Sequence, residues 1–219
     1  MKEILSRVDH TLLSVTATTR DYLKLCDEGI QFNVASVCVP PSRVSLCANH
    51  AAGKIAICTV IGFPNGYADP DAKAHEAQLA IQSGATEIDM VIDIGNAKEH
   101  NYPAILADIK KVRAATPNQV LKVIIETALL TEEEKIALCN VVGESGADYI
   151  KTSTGFAPTG ATFQDIALLR KHSPPHTKIK AAGGISTLED AKKFIELGAD
   201  RLGTSRIIKL IQGLEGAGY

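Results

Sequence analysis

One phrase recurs three times along the chain: the end of an amphipathic segment, then Gly-Ala, then Thr or Asp, then a short apolar run. It reads SGATEIDMVI at 83–92, SGADYIKTST at 145–154 and LGADRLGTS at 197–205. In each copy a glycine (Gly84, Gly146, Gly198) stands where a helix needs a left-handed residue to end, and a strand begins almost at once. Such a repeated junction marks a chain assembled from one supersecondary unit many times over. Gly29 before QFNVASVCV and Gly53 before KIAICTVIGF repeat the punctuation in weaker form.

Helix starts are equally legible. Asp69 followed by Pro70 reads as an N-cap with proline in the first helical position. Thr131 with Glu134, and Ser186 with Glu189, match the capping box of a hydroxyl residue and a glutamate three positions on. Between these signals the sequence predicts strands at Arg7–His10, Asn33–Val39, Lys54–Gly62, Glu87–Ile92, Val120–Glu126, Asp148–Ser153, Lys178–Ala182 and Arg201–Thr204. Helical periodicity fills 18–28, 41–52, 70–83, 103–115, 132–145, 162–171, 187–197 and 205–213. Strand–helix alternation demands a parallel sheet with helices outside it, and eight units favour closure into a single-domain (β/α)8 TIM barrel over 1–219. An open doubly wound sheet is the competing architecture, but the G-x-G-x-x-G of a dinucleotide fold is missing after the first strand. Eight units in 219 residues average about 27 each, which leaves little length for a second domain.

Composition removes other classes. Hydrophobic residues are 45% and charged residues 22%, with a net charge of −2 and both signs interspersed, so the chain carries no footprint for nucleic acid or an anionic membrane. No window approaches 18 uninterrupted apolar residues, and the charged N-terminus MKEILSRVDHTLL lacks a signal-peptide core, so a cytoplasmic protein is expected. Five cysteines (26, 38, 47, 58, 139) form no C-x-x-C pair and suit small buried thiols in a reducing compartment. His172 and His176 flank Pro174 and Pro175 and cannot share a helical face, so neither a metal site nor a cofactor is expected. The oligomeric state stays open, a homodimer being one option.

In such a barrel the active site lies at the C-terminal ends of the strands. Five residues on from each repeat glycine stand Asp89, Lys151 and Gly203. A period of two puts Asp89 opposite Ile88, Met90 and Ile92, hence pointing into the barrel. The same alternation sends Lys122 and Glu126 inward from VLKVIIE, and Lys151 and Lys180 inward from DYIKTST and KIKAAGG. The interior should therefore hold Lys122, Lys151 and Lys180 against Asp89, Glu126 and Asp9. A charge-balanced filler is one account of this, since buried charge must be paired. Apolar residues would fill a barrel more simply, so three interior lysines point to chemistry.

Only about one exposed lysine in 2,500 is a neutral amine at pH 7. Burial and a neighbouring ammonium both lower a lysine's pKa and can turn one of a pair into a Schiff-base nucleophile. Lys151 and Lys180, on adjacent strands, supply such a pair, and Asp89 can act as general acid and base. Gly183-Gly184 after the seventh strand and Gly203-Thr204-Ser205-Arg206 after the eighth lie where such barrels bind phosphate on backbone N–H groups, and Thr152-Ser153-Thr154-Gly155 adds donors. The expected partner is thus a small phosphorylated substrate. A barrel isomerase or epimerase using its carboxylates as acid and base is the alternative, and a non-catalytic sugar-phosphate binder a third.

At these residues the chain resembles a known family. DYIKTSTG at 148–155, KIKAAGGI at 178–185, EIDMVI at 87–92, VLKVIIET at 120–127 and DHTLL at 9–13 are similar to deoxyribose-phosphate aldolases of the shorter bacterial type. The resemblance implies reversible cleavage of 2-deoxy-D-ribose 5-phosphate to D-glyceraldehyde 3-phosphate and acetaldehyde without a metal. By motif it implies Lys151 as Schiff-base lysine, Lys180 as its tuner, Asp89 as proton donor and acceptor, and Gly183, Gly184 and Ser205 at the phosphate. Phe156 stands where some longer members carry a phosphate-binding lysine, so Arg206 is expected to supply that charge. Asp93 replaces an Asn common in similar short forms and puts a further carboxylate near the mouth. The tail ends in Tyr219, a position implicated in catalysis in the family.

Overall fold

The computed structural model describes residues 1–213. A short helix α1 (Lys2–Leu5) precedes eight parallel strands: β1 (Val8–Thr11), β2 (Ser36–Val39), β3 (Ala56–Ile61), β4 (Glu87–Val91), β5 (Val120–Ile124), β6 (Tyr149–Lys151), β7 (Lys178–Ala182) and β8 (Arg201–Thr204). They pair in sequence order, and β8 closes on β1 through Asp9 opposite Gly203, giving the closed eight-stranded barrel expected from the repeat. The open sheet is excluded. Around it lie α2 (Thr19–Phe32), α3 (Val44–Ala51), α4 (Pro70–Gln82), α5 (Ile94–Lys98), α6 (Tyr102–Ala115), α7 (Glu132–Glu144), α8 (Phe163–His172), α9 (Leu188–Glu196) and α10 (Ile207–Ile211). Among the described residues no helix is long and apolar enough to cross a membrane.

The repeat glycines do what the sequence asks of them. Gly84, Gly146 and Gly198 all have positive φ, from +81 to +108°, and each turns a helix end into the next strand. Gly29 does not: α2 runs through it and ends at Asn33, in left-handed geometry at φ 52°. Its lack of a side chain serves packing instead, since a Cβ there would come within 2.7 Å of Val37. The Asp69 and Thr131 caps form as predicted, but the cap of α9 lies one residue later than Ser186. Thr187 Oγ1 accepts from Asp190 N, and Asp190 accepts from Thr187 N, each at 2.9 Å. That shift leaves the Ser186 hydroxyl out of the helix cap.

Several strands are shorter than the alternation implies. β5 stops at Ile124 because Glu126 takes left-handed geometry, and β6 stops at Lys151 where the chain turns along the mouth. The main apolar core lies between the barrel and its helices, while Leu13, Cys38, Cys58 and Val60 form a small apolar cluster of their own. All five cysteines are free and buried.

Candidate active site

Inward-facing positions of β1, β4, β5, β6, β7 and β8 converge on one ionic network. Strand register sets Asp89 beside Lys122, Lys151 beside Lys180, and Lys180 beside Arg201. Asp89 Oδ1 accepts from Lys122 Nζ at 2.8 Å, and Asp89 Oδ2 from Lys151 Nζ at 2.7 Å and Lys180 Nζ at 2.6 Å. Below them Asp9 pairs with Lys180 at 2.5 Å and Arg201 at 2.6 Å, and Glu87 with Lys122 at 2.6 Å. The Cys58 thiol donates to Asp89 Oδ1 at 3.2 Å.

Two of these residues escape the sequence reading. Glu87 lies two positions before Asp89 and therefore on the same strand face, and Arg201 holds the same relation to Gly203. Glu126, in contrast, is absent from the network; the chain bends at it and carries its carboxylate to Thr154. The interior pairs are thus Lys122, Lys151, Lys180 and Arg201 against Asp9, Glu87 and Asp89.

Burial alone would push the Lys122 and Lys180 ammonium groups down, as expected from sequence. Here the carboxylates outweigh it, Asp89 foremost, and hold both lysines well above the ordinary lysine value. The acids respond in kind: burial works against ionisation, but the three lysines hold Asp89 well below the usual carboxylate range, and Lys180, Lys122 and Arg201 do the same for Asp9. Lys151 differs from its neighbours. Among the described residues it pairs with one carboxylate only, and its side chain keeps 5% exposure where Lys122 has none. Four cations face three carboxylates, so the network carries one surplus positive charge in a dry interior. Lys151 is the singly paired member and the one with some exposure.

Beside this network lies a cleft of about 290 Å³ lined by Gly155, Gly160, Gly183, Gly184, Ser205 and Arg206, among others. Gly203 joins it to the lysines, since a Cβ there would lie 3.1 Å from Lys180 Cε. Arg206 reaches across to the Ser186 hydroxyl at 3.1 Å. The cleft exists because the backbones of Gly160, Gly183 and Gly184 touch: a Cβ on Gly160 would come 2.5 Å from Gly184 N. Thr152 does not line it; its hydroxyl is bonded to the Ala182 backbone and ties β6 to β7. Asp9 and Lys122 lie in the barrel floor.

The sequence departures acquire locations too. Phe156 is half exposed and packs edge-on against Phe63 at 5.2 Å. Asp93 caps α5, accepting from Gly95 N at 2.8 Å, and so spends its carboxylate on a helix start rather than on proton transfer. Tyr219 lies outside the described residues. Donor atoms of Cys38, Cys58 and Asp89 lie within 4.8 Å of one another, as do those of Asp9, Cys58 and Glu87. Their carboxylates are already held by lysines and Arg201, whose positive charge opposes a metal ion.

A profile described as DeoC/LacD family aldolase matches residues 4–215. The chain belongs to that family. The aldolase is 52% identical to a deoxyribose-phosphate aldolase of Clostridium botulinum (strain Alaska E43 / Type E3) over 99% of this chain and 98% of that one. It is 53% identical to the enzyme of that name from Streptococcus pyogenes serotype M28, over 97% and 95% respectively. Its structure superposes on a tetrameric deoxyribose phosphate aldolase from Aeropyrum pernix with a TM-score of 0.86, at 31% identity, covering 97% of this aldolase and 92% of the other chain.

Proposed function

We propose that this aldolase reversibly cleaves 2-deoxy-D-ribose 5-phosphate to D-glyceraldehyde 3-phosphate and acetaldehyde through a Schiff base on Lys151. The observation that carries the reading is the sharing of Asp89 Oδ2 by Lys151 and Lys180 beside a glycine-lined cleft. Neutral Lys151 adds its nitrogen to the substrate carbonyl, giving a carbinolamine. Loss of its hydroxyl as water, with a proton supplied from Asp89 or a water held by it, leaves the protonated imine. That imine withdraws electrons as the C2–C3 bond breaks, and the C3 hydroxyl gives its proton to a water held by Asp89, so that C3 becomes the aldehyde carbonyl of the departing D-glyceraldehyde 3-phosphate. The remaining enamine takes a proton at carbon, and water hydrolyses the imine to acetaldehyde and free Lys151. Lys180 stays cationic throughout and keeps a second positive charge unwelcome beside it.

The cleft takes the phosphate, on backbone N–H groups around Gly183, Gly184 and Ser205 with Arg206 as the cation. Asp9 and Lys122 act from the floor by fixing Lys180 and Asp89, and Thr152 by fixing the rim. The isomerase alternative loses ground on the comparisons, since the relatives that match nearly the whole chain are named deoxyribose-phosphate aldolase. Buried unpaired cysteines accord with a cytoplasmic enzyme. Copies of the chain are expected to assemble, a homodimer being the smallest arrangement.

Borohydride reduction in the presence of acetaldehyde tests the reading. The expected result is a single ethyl adduct on Lys151 by peptide mass spectrometry, absent in Lys151→Ala together with activity. An adduct elsewhere, or a fully active Lys151→Ala variant, overturns it.

A further inference from the structure

Glu126 combines three features that the reaction described above does not use. Its backbone sits at φ 56°, ψ 67°, a left-handed conformation that residues with a branched or long side chain seldom adopt. Its carboxylate is 4% exposed and belongs to no ion pair among the described residues. Both carboxylate oxygens accept from Thr154 N, at 3.3 and 3.2 Å, and the Thr154 hydroxyl makes a very short bond to one of them. Strain at a buried, non-glycine residue persists only where its surroundings hold it, and such positions gather at functional sites.

The direction of these bonds is fixed by proton count. The Thr154 hydroxyl has one proton, which goes to Glu126, and its oxygen is thereby left to accept from Phe156 N at 3.0 Å. One carboxylate thus orders two successive links, residue 154 directly and residue 156 through the hydroxyl. Between them lies Gly155, at φ +87°, whose backbone forms part of the wall of the glycine cleft. Thr127 reinforces the same latch, since its N–H donates to Thr152 O at 2.9 Å. Burial pushes the Glu126 carboxyl up, and the Thr154 donors pull it back.

We propose that Glu126 is a positioning residue for phosphate recognition: from the end of β5 it holds residues 154–156 and so shapes the Gly155 wall that meets the phosphate. It hydrogen-bonds to residue 154 and not to Lys151, whose charge influences it less than burial and the Thr154 donors do, so its effect falls on phosphorylated substrates above all. This rests on the reading of the glycine cleft as the phosphate site.

The test compares two acceptors, D-glyceraldehyde 3-phosphate and D-glyceraldehyde, with acetaldehyde as donor. Glu126→Ala removes the carboxylate, and Glu126→Gly removes it while accommodating the left-handed backbone. Thr154→Val cuts the relay at its second link, and Glu126→Gln keeps one acceptor oxygen. In the Ala and Gly variants kcat/KM should fall at least tenfold more for the phosphorylated acceptor than for D-glyceraldehyde, mainly through KM. Thr154→Val should follow in direction, and Glu126→Gln should retain part of the discrimination. Proportionate losses for both acceptors, or an Ala variant with the wild-type ratio, overturn the proposal. Where Glu126→Ala fails to fold, the Gln and Val variants give the same comparison. Borohydride trapping of acetaldehyde on Lys151 separates the two readings: its absence in the wild type defeats the aldolase mechanism, whereas its presence with an unchanged acceptor ratio defeats only the role of Glu126.

Discussion

Lys151 and Lys180 donate to the same oxygen of Asp89, and bonds of 2.7 and 2.6 Å to one atom place their nitrogens no more than about 5.3 Å apart. Two ammonium groups at that separation repel strongly in a dry interior. The pairing pattern decides which of them yields. Lys180 is gripped by Asp9 as well as Asp89, and Asp9 is in turn gripped by Arg201. Lys151 has only the shared oxygen among the described residues, and it faces the mouth. Two carboxylates hold Lys180 as a fixed charge, while Lys151 is the less tethered of the two, as the proposed Schiff-base role requires.

The surplus charge predicts the behaviour of Lys180→Leu. Removing that cation leaves three positive groups against three carboxylates and takes away the ammonium beside Lys151 that the proposed mechanism relies on. The value of kcat/KM near pH 7 should fall by at least about a hundredfold, on the order of 3 kcal/mol in barrier. Activity should recover in part as pH rises, because added base does what Lys180 did. A pH–rate profile that matches wild type after scaling would refute the tuning role.

Much of this was readable before any coordinates. The Gly-Ala repeat announces the barrel, and a period of two along β4 to β7 turns Asp89, Lys122, Lys151 and Lys180 inward. What failed was local. Counting alternation through VLKVIIE assigns Glu126 to the interior, but its left-handed backbone ends the strand's periodicity two residues early. Glu87 and Arg201 sit at strand starts, where a charge usually meets solvent, and only closure of β8 on β1 brings them together. The sense of the lysine shifts was also illegible, since burial and pairing oppose each other and the winner depends on distances that a sequence does not carry.

Outside the barrel, Lys73 of α4 is fully buried, donating to Asp108 of α6 at 2.6 Å and to Val91 O at 3.0 Å. Burial pushes the Asp108 carboxyl up even with this partner. Lys73→Met should lower unfolding free energy by about 3 kcal/mol, because it strands a buried carboxyl. The double variant Lys73→Met with Asp108→Leu should recover most of that loss. Urea midpoints check both, and additive losses would show that the pair is not coupled.

Acid sensitivity follows from Asp9, whose folded-state pKa lies far below its unfolded value of about 3.9. A lowered acid contributes stability that is complete above the unfolded value and drains as pH falls beneath it. Asp9→Asn removes that contribution at every pH. Denaturant-derived stabilities of wild type and variant should therefore run parallel from pH 7 to 5 and converge by about 1 kcal/mol between pH 4 and 3. Glu126 and Asp108, whose values are raised, act in the opposite sense in both proteins and cancel from the difference. Curves that stay parallel to pH 3 would count against the ion-paired Asp9.

The cleft should be sensitive to a single methyl group. Gly184 has φ +71°, and a Cβ there would lie 2.6 Å from Ala161 O, a backbone atom that cannot swing aside. Gly184→Ala must therefore push the β7 turn away from residue 161, widening the spacing of the N–H groups to which the proposed function assigns the phosphate. The barrel floor, held by the Asp89 and Asp9 pairs, lies beneath this movement. KM for D-glyceraldehyde 3-phosphate should rise at least about tenfold, equivalent to roughly 1.4 kcal/mol of binding. Borohydride trapping of acetaldehyde on Lys151 should continue at the wild-type rate. Loss of trapping together with binding would mean that cleft and nucleophile form one mechanical unit, and would defeat the division of labour drawn from their geometry.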